Sequence, residues 1–322
     1  MDENNQIKLY FMGSGEIAVP VLAAISASSR INLLGIATQP DQPAGRRCML
    51  RETPVARFAP ATGLTPDKPE RVDDPGFMAY LAGLQPDVIL VVSFGQILRH
   101  ELLELPKFGC MNIHSSLLPR YRGASPISTA ILNRDQVTGV TFMRMDEGLD
   151  TGGIYSSYRY PLTGNEYVDE LEKALGNFAA NYVVEVLVRL TSGKLKAVPQ
   201  NQNEVTLTRK IKKQYGAVDW SMTAEELEAK IRAFTPWPGV FFSARRNERV
   251  TTIKITAARI LGESIGKPGE ILQADRKGLI IACGSGALEL IRLVPQGRKE
   301  MGSTDFLNGF RLNVGDFVYN GA

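Results

Sequence analysis

Two histidines in a chain of 322 residues leave almost no ligands from which to build a His-based metal site. The three cysteines, Cys48, Cys110 and Cys283, are odd in number, widely separated and in no CxxC pairing, which argues against a disulfide framework and a zinc knot alike. No run of about 18 uncharged apolar residues occurs, so no membrane-spanning helix is expected. The opening MDENNQ is acidic and polar, whereas a secretory signal has a basic stretch followed by an apolar one. The expectation is a cytoplasmic protein. What is present is an ordinary globular composition, 44% apolar and 22% charged, in a chain long enough to make two domains the default.

The net charge of +3 is unevenly divided, because from Val205 onward 18 Lys+Arg stand against 12 Asp+Glu. The densest basic run is TRKIKKQYG, with Arg209, Lys210, Lys212 and Lys213 within five positions. Such a run is either a solvated turn or a patch that neutralises the phosphates of a polyanion such as nucleic acid.

Apolar runs alternate with helical patterns in the first half. IKLYFM (7–12), INLLGIAT (31–38), DVILVVS (87–93) and GCMNIH (109–114) read as strands, and near-continuous apolarity implies burial on both faces of a mostly parallel sheet. Helical spacing over 17–26 and 77–84 supplies crossovers of the doubly wound kind. TGVTFMRM (138–145) reads as a further strand and residues 167–190 as a long amphipathic helix. SGKLKAVPQNQNE then has no clear periodicity and reads as a polar connection, with the domain boundary near Glu204. Beyond it, Thr223 and Glu226 have capping-box spacing, and five short strand patterns follow without intervening helices, as in a small β-barrel.

MGSGEIAV follows the first strand, and Gly13, Gly15 and Ala18 fit GxGxxA, a pattern that lets a pyrophosphate approach a helix N-terminus. A dinucleotide site also needs a carboxylate at the tip of the second strand, where this chain has Thr38, Gln39 and Pro40. The glycines therefore read as a tight turn. The loop QPDQPAGRRCMLRETPV (39–55) is long and polar, the kind of strand-end loop that often serves function.

The stretch MNIHSSLLPRYRGASP (111–126) holds the strongest signal. Alternation along a strand puts Asn112 and His114 on one face, at the carboxyl end where ligands bind in open α/β sheets. The next strand is followed by MDEGLDTGG, whose Asp146, Glu147 and Asp150 are expected at a neighbouring strand end, within reach of the histidine. A carboxylate beside an imidazole stabilises the charged ring, and an amide can donate to a developing oxyanion. Cys110 shares that face at the buried end and reads as a core thiol; Ser115 and Ser116 lack a nucleophile elbow. Direct transfer between two bound substrates fits this set better than covalent catalysis.

NIHSSLLPRYRGASPI followed by GVTFMRMDEGLDTGG resembles the active-site region of folate-dependent formyltransferases, and the likeness extends over nearly the whole chain. TQPDQPAGR is similar to the loop with which tRNA-acting members enter the acceptor end, and AVDWSMTAEELEAKIRAFTPWPG to the opening of their C-terminal domain. The resemblance implies a Rossmann-like doubly wound catalytic domain over 1–204 that takes 10-formyltetrahydrofolate as co-substrate, and an OB-like barrel over 205–322 that helps to hold tRNA. It implies initiator methionyl-tRNA as acceptor; a monomer without a metal, DNA or membrane partner is expected. The family's catalytic Asn, His and Asp fall on Asn112, His114 and Asp150, and its folate-contacting segment on Ser116, Leu117, Leu118 and Pro119. Phe94, Ile97 and Leu98 are expected in the pterin wall, and Arg46 at the acceptor stem. Arg47 and Arg51 stand where some members have a lysine pair, Arg209, Lys210, Lys212 and Lys213 are further candidate tRNA contacts, and Ser115 replaces a common glycine.

Other acceptors remain open on sequence alone. A formyltransferase acting on a sugar-nucleotide amine, a formate-releasing hydrolase, a non-catalytic RNA-binding protein and an NAD-dependent dehydrogenase each keep part of the pattern. The arginine loop and the basic C-terminal half favour RNA.

Overall fold

A computed structural model describes residues 6–44, 49–246, 249–262 and 266–320, so Arg46, Arg47 and Cys48 lie outside the described residues. The chain forms two compact units. The first is Met1–Pro126 with Val137–Pro161 and Glu170–Thr208, and the second is Ile127–Gln136 with Leu162–Asp169 and Arg209–Ala322. No helix of the described residues is long and apolar enough to cross a membrane.

The elements in chain order begin with β1 (Ile7–Gly13), α1 (Ala18–Ser26), β2 (Ile31–Ala37), the small hairpin β3 (Gln42–Ala44) and β4 (Met49–Arg51), α2 (Pro54–Phe58) and α3 (Pro75–Leu84). There follow β5 (Val88–Val92), α4 (His100–Leu103), β6 (Cys110–His114), β7 (Arg122–Gly123), α5 (Pro126–Leu132), β8 (Val137–Arg144), β9 (Ile154–Pro161) and α6 (Val168–Thr191). Apolar continuity fixes the central strands: all of β5 is buried, and β1 exposes only Lys8. Local chemistry starts α3, where Pro75 opens the helix and Asp74 accepts from the N–H groups of Gly76 and Phe77.

The main sheet has the order β2-β1-β5-β6-β8-β9. The first four strands are parallel, as expected, whereas β8 runs antiparallel to β6 and β9 antiparallel to β8. This corrects the reasoning that placed Asp146, Glu147 and Asp150 at a neighbouring ligand edge. Arg144 pairs with Met111, so the end of β8 lies beside the start of β6, and the acidic loop must turn back to reach His114. β9, which no pattern in IYSSYRYP announced, is the edge strand; its aromatic Tyr158 stacks on Tyr182 of α6 at 3.7 Å.

The second unit contains α7 (Ala224–Phe234), capped reciprocally by Thr223 and Glu226 as its spacing predicts, with bonds of 3.1 and 2.9 Å. After β10 (Leu207–Thr208), its sheet uses β11 (Val240–Arg246), β12 (Arg249–Leu261), β13 (Ile271–Asp275), β14 (Gly278–Ala282) and β15 (Ala287–Pro295), then β16 (Met301–Gly302), α8 (Ser303–Gly309) and β17 (Tyr319–Asn320). The order β13-β14-β15-β12-β11-β17 is antiparallel throughout. One segment joins both edges: β17 pairs with β11, while just before it Asp316 O accepts from Ile271 N and Val318 N donates to Gly269 O, each at 2.9 Å. The sheet is thereby curled and closed on itself, which leaves few strand groups unpaired.

Candidate functional site

Strand parity delivers Asn112 and His114 to one face of β6, as read from the sequence. The loop after β8 folds back so that Oδ1 of Asp150 lies 3.5 Å from Nδ2 of Asn112 and 3.6 Å from Nδ1 of His114. Oδ2 of the same carboxylate accepts the backbone N–H of Gly123 at 2.8 Å. Of the three acidic residues in that loop, Asp150 alone is drawn to the histidine; Asp146 instead ties its own loop through Gly148 N and the Thr151 hydroxyl, and Glu147 faces His100 at 3.5 Å.

The tautomer of His114 follows from its partners. Nε2 lies 2.9 Å from the carbonyl of Tyr121, which can only accept, so Nε2 carries a proton. Nδ1 then faces the Asp150 carboxylate, and that approach is favourable when Nδ1 is protonated too. The ring is 6% exposed and the Asp150 side chain 14%, so this contact is screened little by water.

The segment that holds both partners is itself anchored. Tyr121 N donates to Thr206 Oγ1 at 2.8 Å, and β7 pairs in parallel with β10, Gly123 opposite Thr208. At Gly123 φ is +111°, and an added Cβ would stand 2.6 Å from the Thr208 carbonyl oxygen. Only glycine fits there without displacement. Asp150, a non-glycine residue, also sits in the left-handed region at φ +53°.

The SLLP segment is fastened by one buried side chain. Thr141 Oγ1 donates to Ser116 O at 2.7 Å and accepts from Leu118 N at 3.1 Å, while Ser116 Oγ donates to Arg120 O at 2.6 Å. Ser116 is fully buried, Leu118 nearly so, and Leu117 and Pro119 are part-exposed. Phe94 and Leu98 are buried in a core cluster against which Met145 packs, whereas Ile97 is 82% exposed. Beside them a groove of about 550 Å³ is lined by residues that include His100, Leu103, Arg144, Met145, Asp146 and Glu147. That volume falls in the range of small-molecule sites.

Arg51 of the β3–β4 hairpin is exposed, next to Met49 and Leu50, which are 69% and 71% exposed. Arg209, Lys210, Lys212 and Lys213 are all exposed. Burial pushes the Cys110 thiol far above its ordinary range, as suits the core role assigned to it.

Several supporting residues escaped the sequence reading. Gly123 acts through its backbone N–H and Thr206 through its hydroxyl, and Gln200 lies buried within the polar stretch that looked like a plain connection. The one available signal was the uninterrupted PRYRGASP loop after the histidine, whose arginine and glycine have no helical or strand period.

Comparison with known proteins bears on the whole chain. Residues 7–187 match the formyl transferase family model, and residues 210–311 match the model of the formyl transferase C-terminal domain. A methionyl-tRNA formyltransferase of Parvibaculum lavamentivorans is 40% identical over 312 residues, covering 97% of this chain and 100% of that protein. Among solved structures, HypX from Aquifex aeolicus in complex with tetrahydrofolic acid superposes with a TM-score of 0.62 at 16% identity, over 98% of this chain; the chain spans about half, 51%, of that longer protein. WlaRD, a sugar 3N-formyl transferase solved in the presence of dTDP and 5-N-formyl-THF, gives 0.63 at 19% identity, covering 91% of this chain and 99% of that one. At those identities the two structures speak to the fold alone.

Proposed function

The chain belongs to the formyl transferase family, and from that premise we propose that it moves the formyl group of 10-formyltetrahydrofolate to the α-amine of initiator methionyl-tRNA. The observation that carries the reading is the single carboxylate oxygen of Asp150 facing both Asn112 and His114. The neutral amine attacks the formyl carbon, and negative charge grows on the formyl oxygen. Donors on Asn112 Nδ2 and His114 Nδ1 oppose that charge, the more strongly because the site is largely shielded from water. Asp150 keeps the imidazole charged and accepts the proton lost by the amine. The bond from the formyl carbon to N10 then breaks, N10 leaves with the proton that Asp150 took from the amine, and the carboxylate is regenerated. No covalent enzyme intermediate is required, so positioning of the two substrates supplies much of the rate.

The SLLP segment and the groove beside Met145 are the proposed folate contacts, with exposed Ile97 available to a ring and Phe94 and Leu98 backing it from the core. Arg46, Arg47 and Arg51 of the long loop and the cluster from Arg209 to Lys213 are the proposed tRNA contacts, by phosphate neutralisation. A tRNA acceptor is favoured over a sugar nucleotide by the full-length 40% identity to a methionyl-tRNA formyltransferase, against 19% to the sugar enzyme. The reading is tested by offering methionyl-tRNA, free methionine and an amino-sugar nucleotide in turn with 10-formyltetrahydrofolate. Formylmethionyl-tRNA should form, and equal formylation of the sugar nucleotide would overturn the acceptor assignment.

A further inference from the structure

Gln200 is 6% exposed and uses both ends of its amide. Its Nε2 donates to the carbonyl of Asp150 at 2.8 Å and to the carbonyl of Gly152 at 2.7 Å. Its Oε1 accepts from Nε of Arg122, itself 4% exposed, at 2.9 Å. The arginine N–H can only donate, so it fixes which way the amide points and obliges Nε2 to face the two carbonyls. Those carbonyls belong to Asp150 itself and to the residue two positions on, in the turn where Asp150 holds φ +53°, a conformation that side-chain-bearing residues rarely keep without support. At Gly152 an added Cβ would stand 1.9 Å from the Arg144 carbonyl oxygen, so the turn is also pressed against the end of β8.

We propose that Gln200, oriented by Arg122, is a positioning residue for formyl transfer: it clamps the backbone that leaves Asp150, at the carbonyls of Asp150 and Gly152, and so sets the carboxylate against Asn112 and His114. Gly123 N holds Oδ2 from the other side, so the carboxylate is fixed at its oxygen and at its main chain by two elements distant in sequence. Without the clamp, the loop that turned back from β8 loses both backbone bonds that Gln200 donates. The carboxylate then samples positions in which Nδ1 of His114 lacks its counter-charge. Gln200 touches neither substrate in this account, which makes it invisible to a search for reactive groups.

The inference rests on the reading of Asp150 as part of the transfer machinery, and the test separates the two. Formylation of methionyl-tRNA is measured for Gln200→Ala, Gln200→Glu, Asp150→Asn and each Gln200 variant combined with Asp150→Asn. Gln200→Glu keeps the volume and the bond to Arg122 but turns a carboxylate oxygen toward the two carbonyls, so it carries the test where removal of the side chain impairs folding. Each Gln200 variant is expected to lose about 10- to 100-fold in kcat, the scale of a small misplacement of a reacting group. KM for both substrates should stay within about two-fold, since ground-state binding is untouched. In the Asp150→Asn background the Gln200 change should cost no more than about two-fold further, because its effect passes through the lost carboxylate. Full kcat in a folded Gln200 variant, or losses that multiply in the double variant, would overturn the clamp. Full activity in Asp150→Asn alone would instead overturn the reading of Asp150 on which the clamp depends.

Discussion

The backbone N–H of Gly123 meets Oδ2 of Asp150 at 2.8 Å, and this bond holds a residue of the loop after β8 against His114. Gly123 has φ +111° and its Cβ position lies 2.6 Å from the Thr208 carbonyl oxygen. Gly123→Ala should therefore destabilise the fold by about 1–3 kcal/mol, the usual cost of a strained backbone position. Denaturant unfolding reads that loss, and kcat should fall with it because the donor moves away from Asp150. Unchanged stability and turnover would show that the turn can relax without consequence.

Asn112→Ala and His114→Ala each remove one donor that the proposed mechanism aims at the developing oxyanion. Loss of a single such donor commonly lowers kcat about 100- to 1,000-fold. Both variants should remain folded, since Asn112 makes a bond of only 3.5 Å to Asp150 and His114 bonds a loop carbonyl. Steady-state turnover with matched circular dichroism checks this, and full turnover in either variant would contradict its assigned role.

Thr141, the cross-strand neighbour of His114 in the β6–β8 ladder, tests the folate reading without replacing a proposed transfer residue. Thr141→Val preserves volume but leaves the carbonyl of Ser116 and the N–H of Leu118 without their buried partner. Leaving buried groups unsatisfied costs about 1–3 kcal/mol. Part of that cost should appear as weaker binding of a folate analogue by titration calorimetry, with methionyl-tRNA affinity unaltered. An unchanged folate affinity would separate the SLLP segment from the co-substrate.

Salt separates the two substrates. Each phosphate neutralised by Lys or Arg releases counterions, so KM for methionyl-tRNA should rise steeply between about 50 and 200 mM salt while that for the folate changes little. Replacing both Lys212 and Lys213 by Ala should flatten the slope. A flat response in the unaltered protein would point to a small acceptor.

Most of the fold was legible because the central strands carry it in their own composition. VILVV and LYFM can only be buried on both faces, and Thr223 with Glu226 announces the start of α7. The direction of β8 was not legible, since its apolar run is the same read in either sense, so strand-end reasoning left the neighbour of His114 open among three carboxylates and only the family resemblance pointed to Asp150, the one that lies 3.6 Å from its ring. Asn112 and His114 were legible from parity, which needs no tertiary knowledge. Gln200 was not: a polar residue in an aperiodic stretch is ordinarily solvated, and its burial depends on the loop of Asp150 folding back to meet it. Phe94 and Leu98 could be recognised as apolar, but that they are buried in a core cluster while Ile97 is exposed is a property of packing.

The central claim is that the carboxylate of Asp150, set between Asn112 and His114, drives formyl transfer to methionyl-tRNA. The most direct measurement is a rapid-quench single turnover with 10-formyltetrahydrofolate and methionyl-tRNA both bound, comparing the unaltered protein with Asp150→Asn. The account predicts one equivalent of formylmethionyl-tRNA per enzyme in the unaltered protein, and in Asp150→Asn a step slowed by about 100-fold or more at saturating substrates. Equal single-turnover rates in the two proteins, or release of formate without formylation of the tRNA, would contradict it.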